Sequence, residues 1–474
     1  MAERIKADIC VIGGGSGGLS VAAGASQMGA ETVLIERGLM GGDCLNYGCV
    51  PSKALLAAGH AAQSARGAAR FGVNLPAPRI DPAALRDHVR GVIAGIAPHD
   101  SVERFEGLGV RVIRHDARFT GPRTVAAGDY EIAAKRFVVA TGSSPFVPPI
   151  EGLDKTPYFT NETIFDNAAP VEHLIVIGGG PIGVELAQAH RHLGARVTVL
   201  ELFAVLGRDD PETAGILKQR LAAEGVEMLE GVKIERVAGD DRGVTVTVIA
   251  DGTPREIAGS HLLVAVGRVP NTAGLGLEAA GVEFGRGGIK VDARLRTANR
   301  RVYAIGDVAE GLNFTHIAGY HAGIVIRNAL FRLPAKVDYR AVPWVTYTAP
   351  ELAQVGLPEE EARGRFGEIR ILRSTFADND RARTERDTDG LVKVIARKNG
   401  VVVGVSMVGP RAGEVIQLWS LAIAKGLKVK DVAGLILPYP TLGEINKRAA
   451  GSFYTPSLFS DRTRRLVRFL LKLP

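Results

Sequence analysis

The stretch Ala7-Asp8-Ile9-Cys10-Val11-Ile12-Gly13-Gly14-Gly15-Ser16-Gly17-Gly18 sets the architecture of the chain. Its apolar run reads as a buried parallel strand, and the glycines open an alanine-rich helix to about Met28. Thr32-Val33-Leu34-Ile35-Glu36 reads as the next strand. Gly13, Gly15 and Gly18 give the spacing G-x-G-x-x-G, and Glu36 lies 18 residues beyond the last glycine. Each position has a physical task. The first glycine makes a tight turn and the second lets a pyrophosphate approach the backbone. The third lets helix and strand pack closely, while the helix N-terminus favours the anion. Glu36 offers a carboxylate to a ribose diol. Strand, glycine turn, helix and acid together predict a dinucleotide-binding fold. Cys10 falls within the strand and reads as an inert core thiol.

The unit recurs. His173-Leu174-Ile175-Val176-Ile177 is a strand, Gly178, Gly180 and Gly183 form the turn, and Val184 to about Leu193 is the helix. Arg196 to Glu201 is the following strand, and Glu201 again stands 18 residues past the last glycine. Two such units in one chain suggest two nucleotides, one held tightly and one exchanging.

Between them lies Gly41-Gly42-Asp43-Cys44-Leu45-Asn46-Tyr47-Gly48-Cys49-Val50-Pro51-Ser52-Lys53. The chain has three cysteines in 474 residues, and two of them stand five apart here. At that spacing they can bridge across a helix start if their Cα atoms come within about 7 Å. A helix N-terminus also stabilises a thiolate, the reactive form. Two small hydrophobes in a core is the bland alternative; within this glycine-rich frame a redox pair is the expectation. Helix is expected from Ser52 to about Ala69.

Bulk properties set the outer bounds. A chain of 474 residues exceeds one hydrophobic core, so two to four domains are expected. Lys+Arg 58 against Asp+Glu 51 gives net +7, a modest charge with no basic block to mark a nucleic-acid face. Few cysteines, two of them juxtaposed, point to a reducing compartment, and a cytoplasmic location is expected. No run of eighteen apolar residues is present. His316 and His321 lack carboxylate or cysteine partners at ligand spacing, so no metal site is expected.

These signatures, in this order, resemble the class I flavin-dependent pyridine nucleotide-disulfide oxidoreductases, which include lipoamide dehydrogenase, glutathione reductase and the core of mercuric reductase. The resemblance runs from Lys6 to about Glu444. It implies an α/β fold with two Rossmann-like domains, the second inserted in the first, and a C-terminal α+β dimerisation domain. It implies FAD and NAD(H) as cofactors. The FAD-binding residues would be Gly13, Gly15, Gly18, Glu36, Gly42, Lys53, Thr141 and Gly142 of an Ala-Thr-Gly-Ser segment, and Gly306-Asp307, whose aspartate would bond the ribityl chain. Gly178, Gly180, Gly183, Glu201 and Gly267 would serve the nicotinamide nucleotide. Arg268, beside Gly267, could contact a phosphate or be structural with equal reason. Electrons would pass between NAD(H) and a small thiol, disulfide or lipoyl-type substrate through the flavin and a Cys44–Cys49 disulfide. Cys44 would face the substrate and Cys49 the flavin. Lys53 would pair with Glu185. The helix starting at His316 would lie against the cofactor.

The implied domains are 1–150 and 273–341 for FAD, 151–272 for NAD(H), and 342–474 for dimerisation. Strands are expected at Pro343–Thr348 and helices at Gly413–Lys425 and Val429–Leu437. The expected active site is shared between two subunits. In the family a C-terminal histidine from the partner, oriented by a glutamate five residues later, moves the proton. Here that position is Tyr439, followed by Glu444. A phenol is a poor base at neutral pH, which argues against efficient lipoamide or glutathione turnover. Mercuric reductases also depart from histidine there, but they carry a C-terminal cysteine pair that Gly451–Pro474 lacks. Mercuric-reductase-like metal reduction is therefore the alternative to a dihydrolipoyl-dehydrogenase-like activity. A redox-responsive flavoprotein that binds partners is the third reading. Finally, Leu466, Phe469, Leu470 and Leu473 form a stripe flanked by Arg464, Arg465, Arg468 and Lys472. Packing of that stripe on the dimer is the favoured expectation, with an anionic membrane as the other option.

Overall fold

The computed structural model describes residues 2–474. They divide into two compact units. The first holds the residues up to Gly178, His192–Ala195 and Ile234–Val337; the second holds Gly179–Arg191, Arg196–Lys233 and Asp338–Pro474.

In the first unit, the opening stretch is strand β1 (Glu3–Ile12), followed by helix α1 (Ser16–Gln27) and strand β2 (Thr32–Ile35). β1 pairs in parallel with β2, with Cys10 opposite Val33. The sheet continues through β3 (Val110–Ile113), β4 (Arg118–Gly121), β5 (Thr124–Ala127) and β6 (Tyr130–Val139) in the order β3-β2-β1-β6-β5-β4. The strand Val302–Ala304 then pairs in parallel with β6, Val302 opposite Phe137. A strand just over 300 residues from the N-terminus thus completes the sheet that the first residues begin. Ile9, Cys10 and Val11 are fully buried, as a parallel strand covered on both faces requires. Burial pushes the Cys10 thiol up to about 12, so it stays a neutral core group.

The glycine turn is sterically dictated. Gly13 has φ +108°, and a Cβ there would come within 2.3 Å of the Ala140 carbonyl oxygen. The second motif reproduces this. Gly178 has φ +112°, and its Cβ would meet the Ala265 carbonyl oxygen at 2.4 Å. The strand His173–Ile177 before it pairs in parallel with His261–Val264.

After β2 come two helices, α2 (Gly42–Asn46) and α3 (Cys49–Gly67). The helix expected from Ser52 therefore starts three residues earlier, and Cys49 is its first residue. Small side chains lower the cost of that start, and Pro51 sits in the first turn, where its missing N–H is harmless.

The second unit contains the parallel pair Arg196–Leu200 and Val226–Leu229, and a five-stranded antiparallel sheet. Its strand order is Pro343–Thr346, Glu351–Gly356, Val402–Gly409, Leu391–Arg397, Ile369–Thr375. Trp419 is fully buried beneath it, and its indole N–H donates to Asn446 Oδ1 at 2.7 Å. Three expected boundaries change. The first strand ends at Thr346, two residues early. The helix expected over Gly413–Lys425 breaks at Ile416 into Ala412–Val415 and Gln417–Lys425. The helix expected over Val429–Leu437 ends at Ala433, because Gly434 follows and Pro438 stands four residues beyond.

Candidate active site

The cysteine segment sits against the first glycine turn. Gly41 N–H donates to the Gly14 carbonyl at 2.9 Å. Gly42 has φ +60°, and a Cβ there would stand 2.7 Å from Gly15 Cα. Gly15 and Gly42 thus pack backbone against backbone, with no room for a side chain at Gly42. The N-terminus of α1 opens into that region with no capping side chain and no acidic residue in its first turn. Uncapped backbone N–H groups at a helix start suit a pyrophosphate. Glu36 accepts the Gly14 N–H through Oε2 and the Gly38 N–H through Oε1. A carboxylate has about four lone-pair sites, so capacity remains for a ribose diol.

Asp307 accepts from Ser143 Oγ at 2.7 Å. Burial pushes its carboxyl up, against the pull of that hydrogen bond and of the Arg268 guanidinium. Gly306, before it, donates its N–H to His321 Nδ1 at 3.2 Å. Burial lowers His321 to about 4, so the ring is neutral and accepts at Nδ1. Thr141 and Gly142 are tied to Asn271: the threonine Oγ1 donates to the Asn271 carbonyl at 2.8 Å, and the Asn271 N–H donates to the Gly142 carbonyl at 2.9 Å. All these groups fit an extended flavin dinucleotide.

The two cysteines are in the thiol form and hydrogen-bonded to each other. Cys44 is half-buried in α2, while Cys49 is exposed at the start of α3. Cys49 is held down to about 6, first by the hydrogen bond from Cys44, then by Thr315 and by the Lys53 charge, with burial opposing. Cys44 moves up, because it keeps the shared proton and is desolvated. Thr315 Oγ1 lies 3.5 Å from Cys49 Sγ, at the start of the helix Thr315–Ala329. The helix expected from His316 thus begins one residue earlier, and that residue meets the thiol.

The turn carrying Cys44 is anchored by a group that the sequence left undecided. Arg268, on the strand Arg268–Pro270, donates to Asp43 Oδ1 at 2.8 Å and to both the Oγ and the carbonyl of Ser143 at 2.7 Å. It also donates to Asn161 Oδ1 at 3.3 Å, and Asn161 Nδ2 donates to the Tyr47 carbonyl at 3.1 Å. Four of the five guanidinium N–H groups are engaged in fixing the cysteine turn, which assigns Arg268 a structural role and leaves no free fork for a phosphate. Asn161 and Thr315 carry no motif, and Asp43, although it lies within the cysteine segment, has no role assigned from the sequence.

In the second unit Glu201 repeats the Glu36 pattern. Its Oε2 accepts the Gly179 N–H at 2.7 Å and its Oε1 the Phe203 N–H at 2.9 Å. Gly267, in the first unit, has φ +132° and accepts the Phe146 N–H at its carbonyl. Glu185 is buried, and its carboxylate accepts the Tyr347 N–H at 2.8 Å. Tyr439 is exposed and donates its O–H to Asp380 Oδ2 at 3.1 Å. That hydrogen bond raises the phenol above its ordinary value. Glu444 takes a different partner, accepting the Thr441 N–H at 3.4 Å. The acid beside the phenol oxygen is therefore Asp380, not the glutamate that the family pattern implies.

Residues 7–322 match the model of the pyridine nucleotide-disulphide oxidoreductases, and residues 342–450 match that family's dimerisation domain. Mercuric reductase of Lysinibacillus sphaericus is 36% identical over 451 residues, covering 94% of this chain and 82% of the relative. Dihydrolipoyl dehydrogenase of Geobacillus stearothermophilus is 36% identical over 454 residues, covering 94% and 96%. Among solved structures, LpdA of Mycobacterium tuberculosis superposes with a TM-score of 0.86 at 30% identity, covering 94% of this chain and 99% of that one. The HOCl-induced flavoprotein disulfide reductase RclA from Escherichia coli, as its Cu(II) complex, gives 0.84 at 28%, covering 93% and 98%. Two glycine turns, a dithiol beside the first of them and a C-terminal antiparallel sheet find their common explanation here: the chain belongs to the pyridine nucleotide-disulphide oxidoreductases, flavoenzymes that use FAD and NAD(P)H.

Proposed function

We propose that the protein is a homodimer that moves electrons between NAD(H) and a small dithiol or disulfide of lipoyl type. The observation that carries this reading is the asymmetry of the dithiol. Cys49 opens a long helix and is held toward the thiolate by Cys44, Thr315 and Lys53, while Cys44 retains the proton. Bound FAD supplies the relay between nicotinamide and dithiol. The protein's part is to hold it, through Gly13, Gly15, Gly18, Glu36, Gly42, Thr141, Gly142, Gly306 and Asp307. Gly178, Gly180, Gly183, Glu201 and Gly267 take the nicotinamide nucleotide, within residues 151–272. The Lys53 charge acts on Cys49, and Glu185 is assigned as the partner of Lys53 by the family pattern.

Exchange with substrate follows from the thiols. Cys44 Sγ, once deprotonated, attacks one sulfur of the external disulfide and releases the other as a thiolate. Cys49 then attacks Cys44 Sγ, closes the Cys44–Cys49 disulfide and releases the second substrate thiolate. Two electrons leave the protein dithiol, and the two substrate thiolates take up protons. Because Cys44 holds its proton tightly, this step needs a base. Tyr439, assigned to the composite site of the dimer, is a hydrogen-bond donor and not a base at neutral pH. Exchange is therefore slow at neutral pH and speeds up as the pH rises.

The second reading is metal-ion reduction of the mercuric-reductase kind. It draws on a similar degree of identity, and a pair of accessible thiols is a soft-metal site. The tail after Gly451 brings no further cysteine to deliver the metal. Steady-state assays of the FAD-loaded dimer with dihydrolipoamide, glutathione disulfide and Hg(II) separate the readings. Turnover with the lipoyl dithiol above the other two supports the proposal; NADH oxidation driven only by Hg(II) overturns it.

A further inference from the structure

The helix Asp461–Leu470 lies beyond the matched dimerisation domain, which ends at residue 450. Ser460 caps it, its Oγ accepting the Thr463 N–H at 3.2 Å. Every residue from Arg464 to Pro474 is exposed on this chain. At about 100° per residue, Leu466, Val467, Phe469 and Leu470 occupy one side of the helix. Arg464, Arg465 and Arg468 occupy the other, and Arg462 alone starts on the apolar side. Leu458 and Phe459, just before the helix, are exposed as well, as are Leu471 and Leu473 after it. Residues 461–474 hold four arginines and one lysine against one aspartate, a side-chain charge of +4 within the chain's +7. Among the described residues no carboxylate pairs with any of these five cations; Arg465 reaches only the Asp461 carbonyl, at 3.4 Å.

A protein surface would have to supply an apolar groove and a ring of acids together. A layer of anionic lipid supplies both at once. Headgroup phosphates meet the guanidinium edge, and the boundary below takes the leucines and the phenylalanine. No helix among the described residues is long and apolar enough to cross a membrane, so the contact is with a surface. We propose that the segment Asp461–Leu473 docks this enzyme on an anionic lipid bilayer. The stripe that the sequence alone would pack on the dimer is thereby given a different occupant.

The test uses the FAD-loaded full-length dimer and two kinds of vesicle. One is equimolar phosphatidylglycerol and phosphatidylcholine, the other phosphatidylcholine alone. Co-sedimentation with the anionic vesicles should exceed that with the neutral ones by at least about tenfold and fall at high salt. Leu466→Glu/Phe469→Glu should abolish it. Arg464→Gln/Arg465→Gln/Arg468→Gln, which keeps the apolar side, should reduce it at least about tenfold. Flavin absorbance and sedimentation velocity confirm an intact dimer in each variant. Wild-type protein that ignores both vesicles, or binds both equally, overturns the proposal. So does an arginine variant that binds unchanged. If the Leu466/Phe469 variant falls to monomers while the wild type ignores lipid, a second copy of the chain is the occupant and the proposal fails.

Discussion

At Cys49 three neighbours act on one sulfur. The Cys44 thiol donates to it, Thr315 stands 3.5 Å away, and the Lys53 charge favours the thiolate. A thiol held near 6 is ionised above that pH and protonated below it. In the NADH-reduced enzyme, alkylation by iodoacetamide should therefore rise through about pH 6 and be level by pH 8. Removing the lysine charge with Lys53→Met should move that midpoint up by about one unit, slowing alkylation at pH 6 and leaving it unchanged at pH 9. A midpoint that stays put would assign the low value to Cys44 and Thr315 alone. Tyr439 presents the opposite case, a phenol raised by Asp380. Tyr439→Phe should slow disulfide exchange by less than about tenfold, since no base is lost. Tyr439→His should speed oxidation of dihydrolipoamide by about tenfold, with Asp380 orienting the ring, and adding Asp380→Asn should remove most of that gain. A hundredfold fall in kcat/KM for the phenylalanine variant would show that the phenol is part of the chemistry.

Elements explain what the sequence revealed and what it hid. Strand, glycine turn and helix are contiguous, so Gly13, Gly18 and Glu36 declared the first motif, and Gly178 and Glu201 the second. Gly48 and Pro51 blur the helix boundary, so α3 starts at Cys49, three residues before the expected Ser52. The anchoring of α2 and of the start of α3 is not legible in the sequence. Arg268 and Asp43 are 225 positions apart, and Thr315 and Cys49 are 266 apart. Neither pair leaves a periodic trace, since only the closing of the sheet by Val302–Ala304 and the pairing of Arg268–Pro270 with Ser143–Pro145 bring them together. Arg268 ties α2, the Ser143 strand and Asn161 to one another, beside the direct bond from Asn161 to the Tyr47 carbonyl. Arg268→Leu would leave Asp43, Ser143 and Asn161 without their donor in a mostly buried position. The expected loss is about 3 kcal/mol in urea unfolding of the flavin-loaded protein, with Arg268→Lys recovering only part of it. A change below roughly 0.5 kcal/mol would mean that the cysteine turn is held by its own glycines.

Across the whole molecule the same device appears twice, once in each unit. An acid at the end of a strand accepts the N–H of the middle glycine of a turn and the N–H two residues past itself. This fixes Glu201 and leaves the carboxylate acceptor capacity for the two hydroxyls of an adenosine ribose. It also fixes a negative charge where NADPH would bring a phosphate carrying about two more. Repulsion in a half-buried site should cost a few kcal/mol. The chain following the acid offers no remedy, for Leu202 and Phe203 come next and are exposed, and the nearest arginine downstream is Arg208. NADH should therefore exceed NADPH by at least about tenfold in kcat/KM. Glu201→Ala should narrow the ratio mainly by improving NADPH. It should also loosen the turn, because the Gly179 and Phe203 N–H groups lose their acceptor, so kcat/KM for NADH falls too. Glu201→Gln separates the two effects: it keeps one acceptor oxygen and removes the charge, so NADPH should gain while NADH loses less than in the alanine variant. Paired titrations at fixed disulfide and pH decide the matter. Equal efficiencies in the wild-type enzyme would refute the preference, and an unchanged ratio in both variants would place the ribose away from Glu201.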